Sequence, residues 1–485
     1  MCRVEGWFEV QFSRNDTIIN AWHAIDNWAV VRNKNRPHSD LPPCTSNGWL
    51  WFVLKKSTFP WKTKFFDRNV EITGDQPLEG WLRTQPKSHP NLRLSGPRER
   101  CMHFFEFHAH LYDHQSREGL STLGEWLLAP EGTSPPNKHR RNDSSSLLIL
   151  VWKYGPFLER RHIRRFTAND SFSPWKDCSV QDCLLSYRDE DLERADAVVF
   201  HLHMTKGVHE LPSKRGKPGQ IWIFMTDESP LHTFLYDAEN HDISDYDNLF
   251  DWSMTYRTDS DVPVPYGRTI KRKMMLPTVT DGVDIAVKTK LVAIMGSNCS
   301  SKNRRWSYVR ELKELLGEDL DIYGRCLGGN TTACPGHFDR DCPSLSSYKF
   351  YLAFENSNCR EYLTEKIYWN AYEKRAVPIV MGAPDRDCRR LLPPHSYVHV
   401  EDFSSSTDLV DYLRYLDGDD NAYEMYHEWR SSFVVLNEHG YFGSASKHYC
   451  RVCEALRYNA PPTGNASRSK SKDRVCAIEL PIPHR

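Results

Sequence analysis

The stretch Tyr348 to Gly382, YKFYLAFENSNCREYLTEKIYWNAYEKRAVPIVMG, decides how this chain folds. Tyr348–Phe354 is short, apolar and aromatic, which suits a buried strand. Glu355–Arg360 is a polar break. Thr364 can cap a helix running from about Glu365 to Lys374. Val377–Val380 then starts a second buried strand, with Pro378 tolerated near its first residue. A unit of this kind sets a helix N-terminus beside the carboxyl end of a parallel strand, where α/β folds hold nucleotide phosphates. Lys366 falls in the first helical turn and adds its ammonium to the dipole there. Glu365 beside it offers acceptors to ribose hydroxyls. On residues alone, a buried βαβ unit whose helix carries a solvated, charged face is the preferred reading.

The same alternation extends on both sides. Leu291–Met295 reads as a strand, Trp306–Leu316 as an amphipathic helix and Leu320–Tyr323 as another strand. Val398–Val400 is a short strand, and Leu409–Leu416 a helix entered from Ser/Thr/Asp residues. Upstream, Leu147–Trp152, Ala197–Leu202 and Ile221–Met225 are strands joined by longer connections, as in an open α/β domain. Residues 131–146, EGTSPPNKHRRNDSSS, have linker composition. Residues 1 to about 145 are rich in Trp, Arg and Pro with weak periodicity, and the Pro-, Ser- and Lys-rich tail beyond about Asn459 is expected to be loosely held.

The 485 residues suggest two or three domains. A net charge of −1 gives no whole-chain field toward nucleic acid or a membrane surface. Two local basic clusters, Lys138–Arg141 and Arg160–Arg165, lack the interleaved aromatics of a single-strand nucleic-acid platform. Fourteen cysteines are many for a cytosolic chain. Cys178 with Cys183, and Cys450 with Cys453, form two close pairs that fit either disulfides or, if they meet, a zinc site. Sequons at Asn15, Asn142, Asn169, Asn298, Asn330 and Asn465 favour the secretory, disulfide reading. No run of eighteen apolar residues occurs, and no recognisable signal peptide follows Met1.

Several motifs closely resemble the signature of the GDP-fucose-dependent α1,3-fucosyltransferases. They are Tyr348-Lys349-Phe350, Phe354-Glu355-Asn356-Ser357, Tyr362-Leu363-Thr364-Glu365-Lys366, and Val377-Pro378 through Gly382. Further similarity lies in Glu228-Ser229-Pro230 with Thr233, in Tyr256-Arg257-Thr258-Asp259-Ser260-Asp261 with Val264-Pro265-Tyr266-Gly267, and in Ser297-Asn298-Cys299. The resemblance covers roughly residues 147–455. It implies a GT-B architecture, α/β, with two Rossmann-like domains facing across a cleft. Residues 147–285 are then the acceptor side and 286–455 the GDP-fucose-binding side, flanked by an unassigned region at 1–146 and a flexible tail at 456–485. It also implies a type II membrane protein of the Golgi lumen, although the family's N-terminal anchor has no counterpart in an apolar run here.

Transfer of fucose with inversion needs a base for the acceptor hydroxyl and positive charge for the departing GDP. No metal is required where cationic side chains take that charge, and the resemblance makes a divalent cation at most stimulatory. Glu228 ends an apolar strand and matches the family's base, whereas the strand or turn aims its neighbour Asp227 elsewhere. Lys366 is the first candidate for the leaving group. The second lies in the Ser297–Arg305 loop, where an arginine fork suits pyrophosphate. Arg305 is the positional match, and Arg304, one residue off, stays open. Tyr362, Asn356 and Glu365 look like the remaining donor-site residues. Arg257, Asp259 and Asp261 are assigned to organising the connection between domains, and His232, close to Glu228 in sequence, either lines the acceptor side or, by default, lies on the surface.

The implied partners are GDP-β-L-fucose and the N-glycans of glycoproteins, with no nucleic acid and with membrane association by family analogy alone. Ser297-Asn298-Cys299, Asn356-Ser357-Asn358-Cys359, Met381-Gly382-Ala383 and Cys450-Arg451-Val452-Cys453 look most like the invertebrate and plant core enzymes, which fucosylate the Asn-linked GlcNAc. The alternatives are a Lewis-type enzyme acting on terminal N-acetyllactosamine, a catalytically silent glycan-binding homologue, and an intracellular α/β enzyme using another nucleotide.

Overall fold

The computed structural model describes residues 120–138, 146–159, 174–175, 177–234, 243–276, 285–334, 341–441, 444, 446–461 and 476–477, with six short strands before residue 75. The chain forms two compact units, Met1–Tyr112 and Asp113–Arg485. In the first unit, Glu9–Phe12, Ile19–Asn20, Trp61–Phe65 and Val70–Gly74 make an antiparallel sheet, and Val30–Arg32 pairs with Trp49–Trp51.

The second unit holds two parallel sheets, here called its first and second lobes. The first sheet contains β1 (Leu147–Val151), β2 (Cys183–Ser186), β3 (Ala197–His201), β4 (Ile221–Met225), β5 (Trp252–Thr255) and β6 (Val262–Pro263). Their order is β2-β1-β3-β4-β5-β6, all parallel. Runs such as LLILV and IWIFM are apolar throughout because a parallel sheet is covered on both faces. The chain then forms β7 (Gly267–Lys271) and enters the second sheet with β8 (Lys290–Met295) and β9 (Leu320–Tyr323). There follow β10 (Tyr348–Phe354), the two-residue β11 (Asn358–Cys359), β12 (Val377–Met381) and β13 (Val398–His399). The order is β9-β8-β10-β12-β13, again all parallel. Both orders reverse direction between their first and third strands, and ligands of open α/β sheets bind outside the carboxyl ends at that reversal. In the second lobe, that point lies between the loops after β8 and β10.

Alternate residues of β10 face two cores. Phe350 and Leu352 pack with Val309 and Leu312 of the helix Arg305–Leu316 and with Leu409 and Leu413 of Ser406–Gly418. Tyr351 and Ala353 face the other way, into a cluster that also takes Tyr256 and Tyr266 from the first lobe. The expected helix after Thr364 has two parts, α-helical at Glu365–Ile367 and π-helical at Tyr368–Glu373. A π segment widens the helix by one residue per turn and recurs at functional sites.

The C-terminal helix, His448–Tyr458, leaves the second lobe and packs Val452, Cys453 and Leu456 against Ile149, Val199 and Ile223 of the first. Disulfides Cys178–Cys450 and Cys183–Cys453 fix it there, so the two close cysteine pairs meet as cross-bridges. Ahead of it, β14 (Phe433–Asn437) pairs antiparallel with β7. β15 (Cys476–Ala477) pairs with β11, and Cys476 is bonded to Cys359. Of the span 456–485 expected to be a flexible tail, Leu456–Tyr458 complete the buried C-terminal helix, Asn459 Nδ2 donates to the Asp261 carbonyl at 2.8 Å, and Cys476 is disulfide-bonded.

Where β14 ends, Glu438 joins the lobes. It accepts from Arg268 Nε and Nη2 at 2.7 Å each and from Arg451 Nη2 at 3.1 Å. Burial pushes its carboxyl up, but the two guanidinium groups outweigh this and hold it down at about 2. A depressed carboxyl contributes stability above its unfolded pKa and loses it as pH falls toward the folded value. Glu438→Gln should therefore lose about 3 kcal/mol at neutral pH and flatten the stability decline between about pH 4.5 and 2. Urea unfolding at several pH values checks both, and an unchanged acid slope rejects the assignment.

Candidate active site

The loop after β4 begins with Thr226, whose hydroxyl contacts that of Thr233 at 3.2 Å, while Thr233 Oγ1 donates to the Ser229 carbonyl at 3.1 Å. This self-tied turn sends Asp227 and Glu228 in opposite directions, as expected from strand alternation. Asp227 enters the interior, where His448 Nε2 and His439 Nε2 lie 3.1 and 3.2 Å from its Oδ1. Ser446 holds the other nitrogen of His448 at 3.0 Å.

Glu228 faces the second lobe. Its Oε2 accepts from Tyr362 Oη at 2.9 Å and Asn356 Nδ2 at 3.4 Å. Among the described residues nothing bonds Oε1, which leaves that oxygen available to a substrate hydroxyl. Tyr362 is buried between Tyr256 and Tyr266, with ring centroids at 4.9 and 6.5 Å. Glu361, the residue before it, accepts from the Thr258 amide at 2.7 Å and the Thr258 hydroxyl at 2.9 Å, and pairs with Arg390. A backbone contact between lobes thus fixes the tyrosine that grips Glu228. Arg257 forks onto Asp259, and Asp261 accepts from Ser253. These three residues shape the local β5–β6 turn, and Thr258 between them makes the interlobe contact expected of them.

The cations sit around the reversal point of the second sheet. Lys302 and Arg304 are exposed in the loop after β8, and the Lys302 amide donates to Asn356 O at 3.0 Å. Arg304 occupies the N-cap with a left-handed backbone, φ 56°. Arg305 is buried and donates to the carbonyls of Phe354 and Asn298 at 2.8 Å each, bridging the two loops that flank the reversal. Burial lowers its guanidinium pKa, although Glu355 and Tyr362 counter this. Its charge therefore reaches the site from beneath the loops, and Arg304 and Lys302 carry the exposed charge.

Lys366 donates to Glu355 Oε2 at 2.9 Å, Thr364 Oγ1 at 2.8 Å and Glu365 Oε1 at 3.2 Å. Burial opposes the ammonium, but Glu355 and Glu365 raise its pKa, so it stays charged. Thr364 occupies the N-cap without capping the helix through its side chain. Its hydroxyl and amide both go to Glu355 Oε1, at 2.7 and 2.9 Å, because a fully buried carboxylate competes more strongly for donors than a helix end. Gly382, at φ 135°, makes room for this carboxylate, since a Cβ there would lie 2.7 Å from Glu355 Cβ. Glu355 was missed in the sequence, where the signal was an acid directly after a buried, mostly apolar strand. His232 is not on the surface, its default expectation. It is buried, its Nδ1 lies 3.3 Å from Ser229 Oγ, and its ring interacts with Glu228, Lys302 and Arg305.

One carboxylate of the first lobe is thus held by Tyr362 and Asn356 of the second, the lobe that also carries Arg304, Arg305 and Lys366. The two parallel sheets are consistent with a GT-B-like fold. The C-terminal fucosyltransferase model of glycosyltransferase family 10 matches residues 285–468, and the fucosyltransferase N-terminal model matches 144–267. Glycoprotein 3-alpha-L-fucosyltransferase A of Drosophila melanogaster is 35% identical over 281 residues, 58% of this chain and 51% of the relative. The chain thus spans about half the length of that protein. Alpha-(1,3)-fucosyltransferase 7 of Rattus norvegicus is 31% identical over 338 residues, 69% of this chain and 80% of the relative. A 3-galactosyl-N-acetylglucosaminide 4-alpha-L-fucosyltransferase of Bos taurus is 35% identical over 350 residues, 71% and 86% of the two chains. The chain belongs to glycosyltransferase family 10, the fucosyltransferases.

Proposed function

We propose that this chain transfers L-fucose from GDP-β-L-fucose, with inversion, to the 3-hydroxyl of the Asn-linked GlcNAc of N-glycans, across a cleft between its two lobes. The carrying observation is the placement of Glu228, whose Oε2 is tied by Tyr362 and Asn356 while Oε1 has no partner among the described residues. Oε1 takes the proton of the acceptor hydroxyl, the freed oxygen bonds to fucose C1 from the face opposite GDP, and the C1–O bond to the β-phosphate breaks. Lys366, Arg305 and Arg304 stabilise the negative charge that collects on GDP. Asn356, Tyr362 and Glu365 position the donor beside them. The core acceptor is supported by the identity to the Drosophila glycoprotein enzyme. Five disulfides among the described residues support the Golgi lumen, the compartment of the family's enzymes. No described helix is long and apolar enough to cross a membrane.

A donor–acceptor screen with product linkage read by mass spectrometry tests the proposal. The expected product is an N-glycan carrying fucose on O3 of its innermost GlcNAc. Fucose found solely on terminal N-acetyllactosamine rejects the core reading in favour of a Lewis-type enzyme. An absence of GDP release with every acceptor rejects the activity.

A further inference from the structure

Two of the six sequons fall on described residues, and the structure treats them differently. Asn298-Cys299-Ser300 lies in the loop after β8. Asn298 is half-buried, its backbone carbonyl accepts from Arg305 Nη2 and Trp306 Nε1 at 2.8 Å each, and Cys299 is bonded to Cys326. Asn330-Thr331-Thr332 follows β9, the edge strand of the second sheet, and all three residues are exposed. The Asn330 amide donates to Ile322 O at 2.8 Å and its carbonyl accepts from the Gly324 amide at 2.9 Å, which fixes the backbone on the free side of β9. Three further bonds converge on one side-chain atom. Asn330 Oδ1 accepts from the Thr332 amide at 2.9 Å, from Thr332 Oγ1 at 3.0 Å and from the Ala333 amide at 3.0 Å. Nδ2 makes no bond among the described residues.

We propose that Asn330 is an N-glycosylation site of this chain. The inference rests on the lumenal reading, because the sugar is added within the secretory pathway. Thr332 supplies the hydroxyl that completes the acceptor sequence. In the addition, Asn330 Nδ2 bonds to C1 of the first GlcNAc of a lipid-linked oligosaccharide diphosphate. The C1–O bond to phosphate breaks, the lipid diphosphate leaves, and Nδ2 gives up one of its two protons. The linked amide keeps its carbonyl, so Oδ1 can hold all three of its bonds in the glycosylated chain. The atom consumed is the exposed residue's unengaged nitrogen, and the turn loses nothing. A glycan on Asn298 would instead load its bulk onto the loop that carries Lys302, Arg304 and Arg305.

Glycopeptide mass spectrometry of the full chain, secreted from eukaryotic cells behind a leader peptide, tests the site. Deglycosylation in heavy-oxygen water, by an amidase that accepts core-fucosylated glycans, should leave a labelled aspartate at position 330. Asn330→Asp keeps an acceptor oxygen for the three bonds but has no amide nitrogen. Thr332→Val removes the hydroxyl of the sequon, whereas Thr332→Ser retains it. On a denaturing gel, Asn330→Asp and Thr332→Val should each lose the mass of one glycan, and Thr332→Ser should keep it. An unlabelled position 330 in the secreted chain, or migration of Asn330→Asp and Thr332→Val unchanged from wild type, overturns the site. Should a variant fail to be secreted, the labelling of the unmutated chain decides. Protein isolated from its native cells separates this outcome from the reading beneath it. A position labelled in the secreted chain but bare in the native protein removes the Golgi lumen, whereas a bare position in both removes the glycan site itself.

Discussion

Glu228→Gln should lower kcat by about a thousandfold, within the range typical of a lost general base. Glutamine has nearly the same shape. Its amide oxygen can still accept from Tyr362 Oη, which now lies 2.9 Å from Oε2, so the interlobe packing survives. The amide cannot take up a proton, and the acceptor hydroxyl is left a poor nucleophile. GDP-fucose contacts are expected from the second lobe, at Lys366, Arg304 and Arg305, so KM for the donor should stay within a few-fold of normal. A fall in kcat with an unchanged donor KM marks an interaction made in the transition state. Lys366→Met should act differently, raising donor KM as well as lowering kcat, and it also leaves the buried Glu355 without its ion pair. GDP release with and without acceptor separates the two variants. Retention of more than a tenth of wild-type kcat by Glu228→Gln contradicts the proposed mechanism.

The largest structural effect is expected from removing both cross-bridges of the C-terminal helix. Cys178–Cys450 and Cys183–Cys453 close loops of 272 and 270 residues. In the chain-entropy view, the first such closure contributes about 5 kcal/mol. Once it is made, the second closes only the small ring between the two pairs and contributes roughly half as much. Replacing either pair by alanine should therefore cost about 2 to 3 kcal/mol, whereas replacing all four cysteines should cost more than twice that. Differential scanning calorimetry of the two double variants and the quadruple variant measures this, with Tm falling roughly 2 °C per kcal/mol for a chain of this size. Losses that simply add would show that the bridges do not act on one closure. The helix they secure also carries His448, which lies against Asp227 beside the proposed base, so its loosening should reach activity before global unfolding.

Much of the second lobe was legible because its central strands are buried on both faces and leave mostly apolar runs. YKFYLAF and VPIVM needed no tertiary information to be read as strands, and the loop between them announced a nucleotide-type crevice. Local sequence could not show that Thr364 would abandon its cap for Glu355, or that the helix behind it would widen into a π segment at Tyr368–Glu373. Both follow from a carboxylate and aromatic rings brought in by neighbouring strands. His232 had the surface as its default because a lone histidine after a turn carries no periodic signal, and the structure buries it, with Ser357 of the other lobe bonded to Ser229 of the same turn. Taken alone, the sequence determined the element types, the parallel α/β class and the residue types of the chemistry, because hydrophobic period and motif spacing are local quantities. The tertiary structure decided which oxygen of Glu228 is tied and which is open, which cation is exposed and which is sunk beneath the loops, and where the C-terminal helix returns. The tie on Glu228 and the return of the C-terminal helix depend on contacts between residues more than a hundred positions apart, and the burial of Arg305 on a bond to Phe354, 49 positions away, pairings that no local pattern encodes.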